Sequence, residues 1–182
     1  MHKIIILGPQ GSGKGTQAKI LAERLNLPAL SMGQLLRDEV ASGSDLASEI
    51  SSFIDGGNLV PDELALRVLK KRLDQADAQA GGYVLDGYPR NLAQYEVYKE
   101  FDQPNVVLLI DVPREESIAR IMKRAEIEAR EDDTPEIIER RLQIYEEETK
   151  PVLNEYEKAG LLKRISGLGE IEEISHRIEQ TI

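Results

Sequence analysis

Lys3-Ile4-Ile5-Ile6-Leu7, followed at once by Gly8-Pro9-Gln10-Gly11-Ser12-Gly13-Lys14-Gly15-Thr16, is the stretch that decides the fold. Residues 4–7 are aliphatic, do not alternate with polar positions, and stop at Gly8-Pro9. That pattern predicts a strand buried on both faces, as in a parallel sheet. Residues 14–25 then carry Ala18, Leu21, Ala22 and Leu25 on one helical stripe. A glycine-rich loop between such a strand and helix curls so that successive N–H groups point at one anion, and the helix N-terminus adds partial positive charge. Lys14 supplies a mobile full charge for outer phosphates, and the Thr16 hydroxyl suits a magnesium ion or a phosphate. The spacing fits Gly-x4-Gly-Lys-[Ser/Thr] through Lys14, with Gly15 in the hydroxyl place and Thr16 one residue later. Gly13-x-Gly15-x-x-Ala18 formally matches a dinucleotide fingerprint. It starts well past the strand end, and no acid follows at the end of a second strand, so it is set aside.

Outward from this loop, Tyr83-Val84-Leu85, between Gly81-Gly82 and Asp86-Gly87, reads as another buried strand. Val106 to Ile110, ended by Asp111-Val112-Pro113, reads most clearly of all, and Leu161 to Ile165 follows the helix-ending Ala159-Gly160. A short strand is expected near Ala29-Leu30. Helical stripes recur at 62–73 (Leu64, Val68, Leu69), at 115–125 (Ile118, Ile121, Met122, Ala125) and from Leu168 to Ile182. Thr134-Pro135 is an N-cap and first helical position, and Pro151 should bend or break the helix that they open. Strands alternating with helices predict a three-layer α/β/α domain on a five-stranded parallel sheet. In such folds ligands collect beyond the carboxyl ends of the strands, so the segments after Leu7 and Leu85 are where chemistry is expected.

The 182 residues suit a single domain with a real core, and 31% charged against 41% hydrophobic residues is ordinary for a globular protein. No cysteine is present, which removes disulfides and cysteine-ligated zinc, and His2 and His176 stand far apart. With 33 acids against 23 bases the net charge is −10, so the basic face of a nucleic-acid binder is not expected. Phosphate binding would instead need a few arginines to converge locally. The apolar run after Met1-His2-Lys3 is too short for a signal-peptide core, and none reaches membrane-spanning length, so a cytoplasmic location is the expectation.

Several motifs, in order, give the chain a resemblance to the adenylate kinase family of nucleoside monophosphate kinases. Gly8 to Gln17 resembles that family's nucleotide loop, with its Gly-Lys-Gly-Thr, so Gly15 is a family trait. Ser31-Met32-Gly33-Gln34-Leu35-Leu36-Arg37 resembles the acceptor motif, and Gly57-Asn58-Leu59-Val60-Pro61-Asp62 the segment that lines the AMP adenine. Asp86-Gly87-Tyr88-Pro89-Arg90 with Gln94 resembles the family signature. Arg120 to Arg124, Arg130-Glu131-Asp132-Asp133 and Arg141 resemble the arginine and aspartate set around the transferring phosphate.

The resemblance implies reversible, magnesium-dependent transfer from ATP to AMP, giving two ADP. It places ATP on Gly11, Ser12, Gly13, Lys14, Gly15, Thr16 and Arg124. It places AMP on Ser31, Met32, Arg37, Asn58, Leu59, Val60, Gly87, Arg90, Gln94, Arg130 and Arg141. Lys14, Arg90, Arg124, Arg130 and Arg141 would be catalytic, and Asp86 would orient magnesium through water with Thr16 nearby; no zinc is implied. Asp132 and Asp133 would bind the arginines on closure. Residues 125–133 resemble a short loop where long members carry a lid domain, and 31–73 would form the acceptor-binding segment. The residues lend some support of their own. Ile138, Arg141, Leu142 and Tyr145 share a helical stripe, which turns Arg141 inward or to a cleft edge. Arg120 and Arg124 stand four apart, a like-charged pair that a polyanion would turn into a clamp.

The acceptor motif departs from its usual form at Met32, where threonine is usual, and at Gln34, where aspartate is usual. A methionine there either reshapes contact with the base or is tolerated drift. A UMP/CMP kinase of the same fold is the nearest alternative: Asn91 resembles that branch, whereas Gln94 suits adenine by presenting both a donor and an acceptor. A nucleotide-binding regulator without catalysis is a second alternative, disfavoured by Lys14 and the matched arginines. No Asn-Lys-x-Asp motif supports a GTPase. A monomer is expected.

Overall fold

A computed structural model describes residues 1–55, 58–128 and 134–182, apart from the side chains at 124 and 126–128. The elements run, in chain order, β1 (His2–Leu7), α1 (Lys14–Leu25), β2 (Ala29–Ser31), α2 (Met32–Ala41), α3 (Ala47–Asp55) and α4 (Asp62–Leu73). There follow α5 (Ala76–Gly81), β3 (Gly82–Asp86), α6 (Leu92–Phe101), β4 (Val106–Asp111), α7 (Arg114–Glu128) and α8 (Pro135–Ile144). A π turn (Tyr145–Thr149), α9 (Lys150–Lys158), β5 (Leu162–Ser166) and α10 (Ile171–Glu179) close the chain. The expected strands and principal helices are all present, most within a residue or two of where the patterns put them.

The five strands form one sheet in the order β2-β3-β1-β4-β5, every neighbouring pair parallel. Parallel pairing demands crossover helices, which bury both faces and explain the unalternating strands. Successive residues of β1 accordingly serve different cores. Ile5 and Leu7 join Leu30, Met32, Leu69, Leu85 and Tyr98 on the side of α2–α6 and α9. Ile4 and Ile6 join Ala18, Leu21, Ile165 and Ile178 beneath α1 and α10. The chain reverses its direction of growth at β1, between β3 and β4. That switch point opens a crevice beyond the strand ends, at the residues after Leu7.

Three helices differ from their expected extents, and α10, expected from Leu168 to Ile182, spans Ile171–Glu179. The helix predicted at 115–125 runs on to Glu128, so the first residues of the expected 125–133 loop are helical. Ala125-Glu126-Ile127-Glu128 contains no glycine or proline to stop it. Thr134 caps α8 by accepting from the Ile137 N–H, but Pro151 does not end the helical run. The π turn directly before it widens the backbone, and α9 continues from there. Because proline lacks an N–H and crowds the carbonyl one turn earlier, a widened turn accommodates it without a break. Among the described residues no helix is long and apolar enough to cross a membrane.

Candidate active site

The loop between β1 and α1 is packed closely against α7, and the side chains of Lys14 and Arg120 donate to its carbonyls. Gly11 adopts φ +79°, and a Cβ placed there would stand 2.5 Å from the Ser117 carbonyl oxygen and 2.8 Å from Ile121. Gly13 adopts φ +86° as the residue before α1, and a Cβ placed there would make only an ordinary contact, 3.9 Å from the Arg120 guanidinium. The first glycine thus lets α7 press on the loop, and the second lets the loop turn left-handed into the helix. Lys14 folds back to donate from Nζ to the Pro9 carbonyl at 3.2 Å, and Thr16 is exposed at the mouth. Ser12 is buried.

This loop forms one wall of a cavity of about 1380 Å³ that extends to α2 and α8. Its lining brings together Gly11, Gly13, Lys14, Gly15 and Thr16 with Ser31, Arg37, Asn58, Leu59, Val60, Asp86, Gly87, Arg90 and Arg141. The expected donor-loop and acceptor residues therefore share one continuous space. Such a volume exceeds that of a typical single-ligand pocket and has room for two nucleotides.

At its centre Arg90 donates from Nε to the Gly87 carbonyl at 2.7 Å, which turns the guanidinium back over the end of β3. Burial pushes the Arg90 pKa below its usual value; the nearby Asp86 carboxylate opposes that, while Arg141 and Arg37 add to it by like-charge repulsion. The guanidiniums of Arg141 and Arg37 have thus both been brought into the field of Arg90 on a protein of net charge −10. Such convergence is unfavourable without an anion and favourable with one, and the planar forks meet phosphate oxygens in pairs. The stripe reading of Arg141 holds: Ile138, Leu142 and Tyr145 are buried, and Arg141 reaches the cavity from their edge.

Asp86 is 8% exposed, and its Oδ1 accepts no hydrogen bond among the described residues. Its Oδ2 lies 3.3 Å from where a Cβ on Gly15 would stand, which sets the carboxylate against the start of α1. A buried carboxylate oxygen without a donor normally demands a cation or ordered water. With the Thr16 hydroxyl nearby, the donor set is oxygen only, and no cluster of three or more His, Cys, Asp or Glu exists among the described residues. Magnesium fits this arrangement, since it is commonly held by one or two carboxylates plus substrate phosphates and keeps much of its water.

Two expected acceptor contacts are placed differently. Met32 is 2% exposed and packs in the core with Leu36, Ile50 and Val60, while its neighbours Ser31 and Gly33 line the cavity. As the first residue of α2 it projects to the buried side of that helix, so the structure gives the methionine a packing role. Gln94 is also 2% exposed. Its Oε1 accepts from the Arg90 N–H at 2.8 Å, and its Nε2 donates to Asp62 at 2.8 Å. One amide N–H and one lone pair are all that remain for a base edge. Asn91 caps α6 by accepting from the Gln94 N–H and also donates to Asp62, which gives it a local structural task. The other departure has a clear consequence: Gln34 accepts from Arg37 at 2.8 Å and donates to Asp38 at 2.7 Å, a neutral brace beside the cavity arginine.

The side chain of Arg124 lies outside the described residues, as do Arg130, Asp132, Asp133 and Gly57. Arg120, expected from the sequence as half of a polyanion clamp with Arg124, braces the donor loop. Its guanidinium donates to Glu116 at 2.6 Å, to the Gly167 carbonyl at 2.9 Å and to the Ser12 carbonyl at 3.4 Å. The turn before α10 completes that wall, with Gly169, Glu170 and Ile171 on the cavity and Gln17 donating to the Ile171 carbonyl at 2.9 Å. Glycine-loop spacing gives no hint of this remote segment; Arg120, four residues before Arg124, was the one visible sign.

Comparison with known proteins agrees with this geometry. The adenylate kinase family model matches residues 6–161. An adenylate kinase of Stenotrophomonas maltophilia (strain R551-3) is 44% identical over 181 residues, 97% of this chain and 96% of that one. One of Thermobifida fusca (strain YX) is 43% identical over 180 residues, 96% and 95% of the two chains. One of Bifidobacterium longum (strain NCC 2705) is 44% identical over 181 residues, 97% of each. Parallel sheet, glycine loop, converging arginines and full-length similarity agree: the chain belongs to the adenylate kinase family.

Proposed function

We propose that the chain transfers the terminal phosphoryl group of magnesium-bound ATP to AMP, reversibly, giving two ADP. The observation that carries this reading is the convergence of Arg37, Arg90 and Arg141 beside Asp86, in the same cavity as the glycine loop. A protein that only bound ATP would not need a second cationic centre across the cavity from the loop.

On the donor side, the backbone N–H groups of Gly11 to Thr16 would hold the phosphates of ATP, with Lys14 swinging from Pro9 to the outer ones. Arg120 and Gly169 to Ile171 would cover the remainder of the nucleotide. Magnesium would neutralise phosphate charge and keep the oxygens in register, held by Asp86 through water and by Thr16. On the acceptor side, Arg37 and Arg90 would grip the AMP phosphate, with Ser31, Asn58, Leu59, Val60 and Gly87 around the rest. Arg141 would face the group in flight, joined by Arg124 and Arg130 by virtue of their motif positions. Catalysis then consists of alignment, charge stabilisation and exclusion of water, with no covalent intermediate required. Closure of the acceptor segment 31–73 would supply that exclusion. A monomer is part of the proposal, supported by exposed large apolar side chains that sit on several different elements. So is a cytoplasmic location, supported by a sequence that needs no oxidising compartment for disulfides.

The test is diphosphate formation from ATP and magnesium with AMP, UMP, CMP or GMP offered in turn. Turnover strongly preferring AMP supports the reading. A preference for UMP or CMP transfers the chain to pyrimidine acceptors, and silence with all four removes the activity altogether.

A further inference from the structure

The helical run that carries Arg141 departs from α geometry in one place only among the described residues, at the π turn Tyr145–Thr149. Had the run kept 3.6 residues per turn, Thr149 would stand about 80° round the axis from Arg141. The wider turn brings it back toward the line of Arg141 and Tyr145, and all three line the cavity. There Thr149, 6% exposed, donates from Oγ1 to the Arg90 carbonyl at 2.7 Å. Arg90 is therefore tied at three points. Gln94 takes its N–H, the Gly87 carbonyl takes its side-chain Nε, and Thr149 gives to its carbonyl. The first two ties belong to the β3–α6 segment itself. Only the third comes from the run that bears Arg141.

We infer that Thr149 is a positioning residue: by bonding the Arg90 carbonyl, it fixes the gap between the Arg90 and Arg141 guanidiniums and so sets their joint grip on the acceptor phosphate. The inference rests on the proposed reading of those arginines as acceptor-phosphate ligands. Two guanidiniums in each other's field repel, so an untied loop would relax apart and the site would lose its spacing. Misplacement of a binding group by about 1 Å can cost up to about a hundredfold in rate.

The test compares Thr149→Val, which keeps shape and loses the hydroxyl, with Thr149→Ser, which keeps the hydroxyl. Steady-state kinetics are measured with AMP and ATP varied separately, alongside thermal unfolding. The valine variant should raise KM for AMP about tenfold and lower kcat severalfold, with KM for ATP within about twofold of the parent. The serine variant should return KM for AMP to within about threefold. A general loss of stability would reduce the active fraction and kcat alone, leaving both KM values in place. Unchanged KM for AMP in the valine variant, or a serine variant no better than valine, overturns the inference. Should valine give insoluble protein, Thr149→Ala carries the same comparison. Arg90→Met is run in parallel: if it too leaves KM for AMP unchanged, the acceptor reading has failed, whereas a rise there without one in Thr149→Val defeats Thr149 alone.

Discussion

Arg90→Met separates two things that one side chain does here, holding structure and binding an anion. The substitution keeps an unbranched apolar stem and removes the fork. In the free protein it deletes the Nε donor to the Gly87 carbonyl and leaves that buried oxygen without this partner. Such a loss costs about 1–3 kcal/mol. It also ends the attraction to Asp86 and, in the opposite sense, the repulsion from Arg141 and Arg37. These charge effects oppose one another, so the net destabilisation should stay within about 3 kcal/mol. At about 2–4 °C per kcal/mol for a domain of this size, Tm should fall by no more than about 12 °C. In the complex the balance differs, because two charge-assisted bonds to a phosphate are lost with nothing opposing them. At about 1.5–3 kcal/mol each, they amount to roughly 3–6 kcal/mol of transition-state binding. That is a fall in kcat/KM for AMP of about 10²–10⁴ at 1.36 kcal/mol per decade. The assay is ADP formation at saturating ATP with AMP varied, with thermal unfolding on the same preparation. A kcat/KM for AMP within tenfold of the parent would refute the reasoning, whatever happened to Tm.

Gly11→Ala meets both a left-handed φ and contacts of 2.5 and 2.8 Å, whereas Gly13→Ala meets only the left-handed φ. Thermal unfolding should show the first destabilised by about 2–4 kcal/mol and the second by about 1–2, and equal losses would contradict the packing of α7 on the loop. Asp86→Asn keeps the shape and removes the charge. It should raise the magnesium concentration needed for half-maximal rate at least about tenfold, with metal-free ATP binding changed little, as magnesium titrations at fixed ATP would show. An unaltered magnesium requirement would detach the orphaned Oδ1 from the metal.

Much of this architecture was legible because parallel strands and phosphate loops impose strong local rules. A strand buried on both faces cannot alternate, so residues 4–7 and 106–110 declared themselves. Gly11 and Gly13 had to be glycine for reasons of φ and approach that the loop pattern already encodes. What stayed hidden was set by tertiary neighbours. Nothing local to Met32 says that the first residue of α2 faces the core, and nothing local to Gln94 says that Asp62, from α4, will take up its amide. Pro151 predicted a disruption, but its form, a π turn that aims Thr149 at Arg90, depends on the loop it packs against. The extension of α7 to Glu128 was readable in its composition and was displaced by the resemblance to a short loop.

Direct transfer between two nucleotides aligned in one cavity leaves a definite record in the fate of a label. ATP carrying radioactive γ-phosphate is supplied with magnesium and AMP, and the products are resolved by chromatography at early times. Direct transfer places the label in the β position of ADP, with two ADP formed per ATP consumed and negligible free phosphate. Label released as inorganic phosphate at a rate that ignores AMP would contradict it, and would make the cavity a site of hydrolysis.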